Sequence, residues 1–106
     1  MRWLTIALAL WYFFAAATHA GFFPAVGAPL PVAPLVEGAL GLVLLATLAR
    51  LPLVWGCAIA LAGTLFGLAI VLARGLFGID LVFHLVMLAG LAFGFALIFR
   101  GRTRPT

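Results

Sequence analysis

The sequence predicts an all-α protein, an integral membrane four-helix up-down bundle with both termini on the cytoplasmic side. Three observations predict it. Of 106 residues, 68% are hydrophobic and only 8% are charged, and the mean hydropathy is +1.39. The apolar residues fall into four runs separated by proline, glycine and arginine. The basic residues are six arginines with no lysine, and they flank the runs rather than interrupt them. A soluble domain this short needs an extensive polar surface. This chain has little to build one from, so lipid is the solvent that suits it. Residues 1–106 read as one transmembrane domain.

The first helix covers about 3–23, long enough to span at 1.5 Å per residue. A signal peptide would also begin this way, with Arg2 as its basic head and Thr18-His19-Ala20 as a cleavage site. The bulk of Trp11, Tyr12, Phe13 and Phe14 favours a retained helix. Residues 24–34 hold four prolines and read as an external loop. The second helix is short, about 35–49, closed by Arg50-Leu51-Pro52 because proline ends the hydrogen-bond ladder. The third covers about 53–73 and the fourth about 79–99, joined by a turn over 74–78.

Arginine placement sets the orientation. With the N-terminus inside, Arg2, Arg50, Arg100, Arg102 and Arg104 are cytoplasmic and only Arg74 is outside, a strong positive-inside bias. The cell membrane (plasma membrane, or bacterial inner membrane) is the expected location, with the chain crossing it several times. The net charge of +4 belongs to these membrane flanks, where it meets anionic headgroups, and nothing in it points to nucleic acid. Cys57 has no partner for a disulfide or a metal cluster and reads as a small buried hydrophobe.

Small residues mark the packing faces. Helix three carries Gly56, Ala60, Gly63 and Gly67, and helix four carries Gly90 and Gly94. Small residues four apart let helix backbones approach closely in lipid. On helix one, Thr5, Ala9, Tyr12, Ala16 and His19 form a stripe at helical spacing that should face the bundle. Asp80 and His84, four apart, share one face of helix four, and Met87 and Leu91 continue it.

The topology gathers the remaining polar residues at one end. His19 ends helix one, Glu37 begins helix two, Arg74 ends helix three, and Asp80 and His84 open helix four. All five fall at the non-cytoplasmic side. Arg74 and Asp80 are close enough to the interface to be a plain headgroup-level pair. His84 lies one turn deeper and Glu37 follows an apolar loop, and ionisable groups within a membrane are costly to retain. The expected arrangement is a network of Glu37, Asp80 and His84, with Arg74 as counter-charge and His19 at its edge. Several chemistries could use it. Paired His19 and His84 could hold haem. His19, Glu37, Asp80 and His84 are ligand types suited to a metal, without a diagnostic spacing. Quinone binding or proton-coupled transport could also use a carboxylate or imidazole beside an apolar wall.

The run Pro34-Leu35-Val36-Glu37-Gly38-Ala39-Leu40-Gly41-Leu42, continuing to Leu48-Ala49-Arg50, resembles the DoxX-like group of small four-helix membrane proteins. In that group a glutamate opens the second helix, a Gly/Leu-rich run follows, and an arginine closes it. The resemblance extends over the first three helices, and Glu37 and Arg50 are the positions that carry over. It implies a role beside membrane redox chemistry, as a quinone-linked oxidoreductase subunit or its partner. Asp80 and His84 lie outside the shared pattern. The chain is shorter than typical members, which speaks against independent catalysis, and together with the glycine stripes and the want of a soluble active site the resemblance implies a non-catalytic accessory subunit associated with other membrane subunits. Its length is also similar to that of small multidrug-resistance transporters, but their essential glutamate lies in helix one, which here has no acid.

Overall fold

In a computed structural model the structure describes residues 2–22, 33–75 and 78–103, leaving aside the side chains of 102 and 103. Residues 24–32 of the proline-rich connection, 76–77 between the third and fourth helices, and Arg104 lie outside the described residues. The described chain is all-helical: α1 (Arg2–His19), α2 (Ala33–Ala46), α3 (Leu53–Arg74) and α4 (Ile79–Thr103).

Each departure from the expected boundaries has a local cause. α1 stops at His19 rather than continuing to residue 23, because Gly21 adopts φ 96° and turns the chain. The Phe22 amide then bonds back to Ala17 O at 3.0 Å, satisfying a terminal carbonyl. α2 starts at Ala33, since Pro34 is tolerated in a first turn where its missing N–H has no partner to lose. It ends at Ala46, before the expected 49. There Thr47 donates its hydroxyl to Leu44 O at 2.6 Å. The amides of Thr47, Leu48 and Ala49 bond three residues back instead of four, tightening the chain into turns. α3 is capped by Gly75 at φ 69°. α4 runs past 99, so Arg100 lies on the helix rather than in a tail.

Contacts establish an up-down order. α1 packs on α2 and α4, and α3 packs on the same two helices, so the four form a ring in chain order. The end of α1 meets the start of α2 through His19 and Glu37. The end of α2 meets the start of α3 where Thr47 faces Gly56, and Leu8 of α1 lies against Gly90 of α4. Across the middle, Tyr12 of α1 hydrogen-bonds Thr64 of α3.

The surface pattern is the reverse of a water-soluble bundle. Thr5, Thr18, His19, Glu37, Thr64, Asp80 and His84 are all buried, whereas Trp3, Leu10, Trp55, Phe66, Leu72, Leu85 and Phe93 are exposed. The helices therefore turn their polar stripes inward. Two of them, Leu53–Arg74 and Ile79–Gly101, are long and apolar enough to cross a membrane, and only 28% of the apolar window in each is buried. α1 is pulled down in hydropathy by Arg2 and His19 at its ends. α2, with 14 residues, is about 21 Å long at 1.5 Å per residue, short of a full bilayer core.

The glycines work differently from a close backbone seam. A Cβ on Gly63 would meet Leu40 Cδ1 at 2.7 Å, one on Gly67 would meet His84 Nε2 at 2.6 Å, and one on Gly90 would meet Leu8 Cδ2 at 2.5 Å. A Cβ on Gly56 would overlap the Thr47 methyl. Each of these glycines receives a neighbour's side chain, and the α3 stripe admits Thr47 just beyond α2, Leu40 of α2 and His84 of α4. Ala60 and Gly94 are buried on the same inner faces.

This contrast can be measured. Thr47 is held by its bond to Leu44 O, so Gly56→Ala should destabilise the protein by about 1–3 kcal/mol through overpacking. A methyl placed on Gly38 would meet nothing within 4 Å. Gly38→Ala should therefore be neutral or stabilise by up to about 1 kcal/mol through helix propensity. Thermal melts of both variants in one detergent test the pair, and an equal loss in both would contradict the packing described.

Candidate functional site

The site begins with His19, at the last residue of α1 and 1% exposed. Thr18, beside it, closes the helix through a hydroxyl-to-carbonyl bond of 3.0 Å to Phe14 O, one turn earlier. The imidazole is fixed on one side by Phe83 of α4, whose ring stands edge-on to it with centroids 5.9 Å apart. Phe83 also packs edge-on against Trp11 and Phe14, at 5.4 and 5.7 Å. The Trp11 indole N–H donates to Phe83 O at 3.2 Å, tying α1 to α4 just below the site. The orientation of His19 is thus set before any charge is considered.

Both ring nitrogens of His19 then meet carboxylates. Nδ1 lies 2.8 and 2.9 Å from the two Glu37 oxygens, and Nε2 hydrogen-bonds Asp80 Oδ1. One ring joins three helices. Helix dipoles favour this placement, with a cation-forming group at the C-terminus of α1 and an acid in the first turn of α4. His84 joins through the backbone: its Nδ1–H donates to Asp80 O at 2.7 Å. Because a carbonyl only accepts, this bond fixes the tautomer and leaves Nε2 with a lone pair when the ring is neutral.

The roles differ from those the sequence suggested. His19 is the centre of the network, not its edge. His84 reaches Asp80 only through the main chain and makes no hydrogen bond to Glu37 among the described residues. Arg74 is exposed, and no ion pair joins it to Glu37 or Asp80 among the described residues. Arg74 instead lies on the rim of a cavity. That cavity, of 390 Å³, lies mainly between α2 and α3. Tyr12, His19, Glu37, Thr64 and His84 supply its polar wall, and Val36, Leu40, Phe66, Ile70 and Met87 contribute the apolar one. Val36, Phe66 and Ile70 are themselves partly open to the outside, so the cavity communicates with the apolar flank of the bundle.

Sequence reasoning missed Thr64 and gave Tyr12 no chemical role. Their hydrogen bond is buried and crosses the ring between α1 and α3. The signal available was a lone threonine within an otherwise apolar helix, a position that tends to bond its own backbone, as Thr64 does with Ala60 O at 2.7 Å.

The arrangement narrows the cofactor options. Paired haem ligation would need one free nitrogen from each histidine, and both nitrogens of His19 are engaged by acids. Among the described residues no group of three or more His, Cys, Asp or Glu side chains is arranged to hold a metal ion. A metal would have to displace the hydrogen bonds that hold the triad. No family model matches the chain, and no curated protein or solved structure matches it.

Removing one member of a buried ion-paired set strands the others. His19→Ala leaves two acids without their donor and should cost about 3–5 kcal/mol. A double-mutant cycle of His19→Ala with Glu37→Ala should give a coupling of about 0.5–3 kcal/mol, whereas His84→Ala with Glu37→Ala should be additive within about 0.5 kcal/mol. Thermal or denaturant unfolding in one detergent reads both cycles. Coupling confined to the His84 pair would contradict the geometry.

Proposed function

We propose that this chain is a small multi-pass membrane protein with both termini cytoplasmic, serving as an accessory subunit of a larger membrane complex to which it contributes a ligand cavity. The observation that carries this reading is the inverted surface: acids and imidazoles inside, tryptophans, phenylalanines and leucines outside. Such a surface suits lipid and the apolar flanks of other subunits. The two long apolar helices support it, as does the five-to-one arginine distribution read from the sequence. A link to quinone or other redox chemistry stands on the resemblance of residues 34–50 alone.

A second reading, a proton-coupled carrier, is favoured by one specific feature. The triad lies buried at one end of the bundle and borders a cavity closed on its deeper side by the Tyr12–Thr64 bond. Carriers need a buried carboxylate that can exchange its proton for a substrate.

Topology is tested with single cysteines in a Cys57→Ser background. Ala28→Cys should label in intact cells with an impermeant maleimide, and Thr103→Cys should label only after lysis. The reverse pattern would overturn the orientation. Extraction in mild detergent should bring larger subunits with the tagged chain. Purification alone, with cation movement across liposomes, would replace the subunit reading by the carrier.

A further inference from the structure

We propose that the cavity between α2 and α3 binds a lipophilic ammonium ion, held by Glu37, Tyr12 and His84 and enclosed by apolar side chains. The proposal rests on reading that cavity as the ligand site and names the chemistry of its occupant.

The inference follows from where each proton must lie. Ala60 O can only accept, so Thr64 spends its single hydroxyl proton there. The hydrogen bond between Tyr12 and Thr64 must then use the tyrosine proton, which leaves Tyr12 Oη with lone pairs alone. His84 spends its Nδ1 proton on Asp80 O, so Nε2 is a lone pair too. That nitrogen has no hydrogen-bond partner among the described residues, although His84 is only 5% exposed. Gly67 packs against that ring: a Cβ there would meet Nε2 at 2.6 Å, so the glycine is what lets His84 sit at the cavity wall. Glu37 receives His19 Nδ1 and keeps further lone pairs. The polar wall of the cavity therefore presents acceptors, and Arg74 on the rim is the lining group that can only donate.

Charge points the same way. Two hydrogen bonds join His19 to Glu37 and to Asp80, and each holds one proton. With both acids otherwise deprotonated, two carboxylates and an imidazole ring sharing those two protons carry a net charge of −1, wherever along each bond the proton resides. A buried uncompensated charge is expensive, and Arg74, exposed at the rim, makes no ion pair with it among the described residues. An occupant that brings one positive charge and several N–H donors meets both requirements. Phe66, Leu40 and Met87 supply the surface for its apolar body, and an aromatic face beside a cation adds to the attraction.

The test uses the full chain in nanodiscs, with empty nanodiscs to subtract partitioning into lipid. Phenethylammonium, phenethyl alcohol and phenylacetate serve as probes of matched shape in equilibrium dialysis. Phenethylammonium should bind with one site per chain, and phenylacetate should not bind. Glu37→Gln keeps an acceptor for His19 but removes the charge, and it should weaken ammonium binding roughly 10- to 100-fold, the range for hydrogen bonds to charged groups. If that variant fails to fold, Gly67→Ala puts a methyl where it would meet His84 Nε2 at 2.6 Å, pushes the ring from its place at the cavity wall and should weaken binding roughly fivefold, as for one neutral hydrogen bond. Alcohol binding as tight as the ammonium, or tighter binding of phenylacetate, would overturn the cation assignment while leaving the ligand cavity standing. Binding of none of the probes would overturn both.

Discussion

One imidazole shared by two carboxylates holds one end of this bundle together. On the membrane reading proposed above, apolar helices gain little from touching one another, because the surrounding acyl chains are as apolar as they are. Registry must come from polar links and close packing. His19 provides the link for α1, α2 and α4 at once. Its own placement depends on Phe83, which is fully buried and packs edge-on against His19, Trp11 and Phe14. The acids could not be buried singly at tolerable cost, since each would be an unpaired charge in a weakly polarisable medium. Sharing one histidine offsets that cost.

A second consequence concerns the gap on the remaining side. The triad draws α1, α2 and α4 together, but α3 contributes no member to it. α3 reaches the centre instead through Thr64, which meets Tyr12 below the triad. Between those two levels α2 and α3 part around the cavity, with Glu37 and His84 on its wall. The small residues Gly63 and Gly67 shape this region: they admit Leu40 from one neighbour and His84 from the other. The cavity is thus a product of the same polar links that hold the bundle, which is why its wall carries so many acceptors.

Much of this was legible in the sequence. The inward stripe of α1 could be read because Thr5, Ala9, Tyr12, Ala16 and His19 recur at helical spacing amid bulky apolar residues, and all but the half-buried Ala16 are buried. Asp80 and His84 share a face by the same arithmetic. The helix ends were less legible: Thr47 bonds its own backbone and ends α2 early, a competition that periodicity does not register. The centre of the network was misplaced for a different reason. Asp80 and His84 are neighbours along one helix, so pairing with Glu37 was expected through His84. The identity of the residue between the acids depends on α1 lying between α2 and α4, a three-dimensional fact that spacing along one helix cannot carry. The glycine stripe was read as a backbone seam because spacing alone does not say whether a side chain or a backbone fills the space.

The most direct measurement is solid-state NMR on the protein in bilayers, with nitrogen-15 in histidine and carbon-13 in the carboxyl groups of Glu37 and Asp80. Through-space couplings are expected from Nδ1 of His19 to the Glu37 carboxyl carbon and from Nε2 of His19 to that of Asp80. A His19 ring coupled to only one acid, or a Glu37 carboxyl coupled to His84 instead, would contradict the shared-imidazole arrangement.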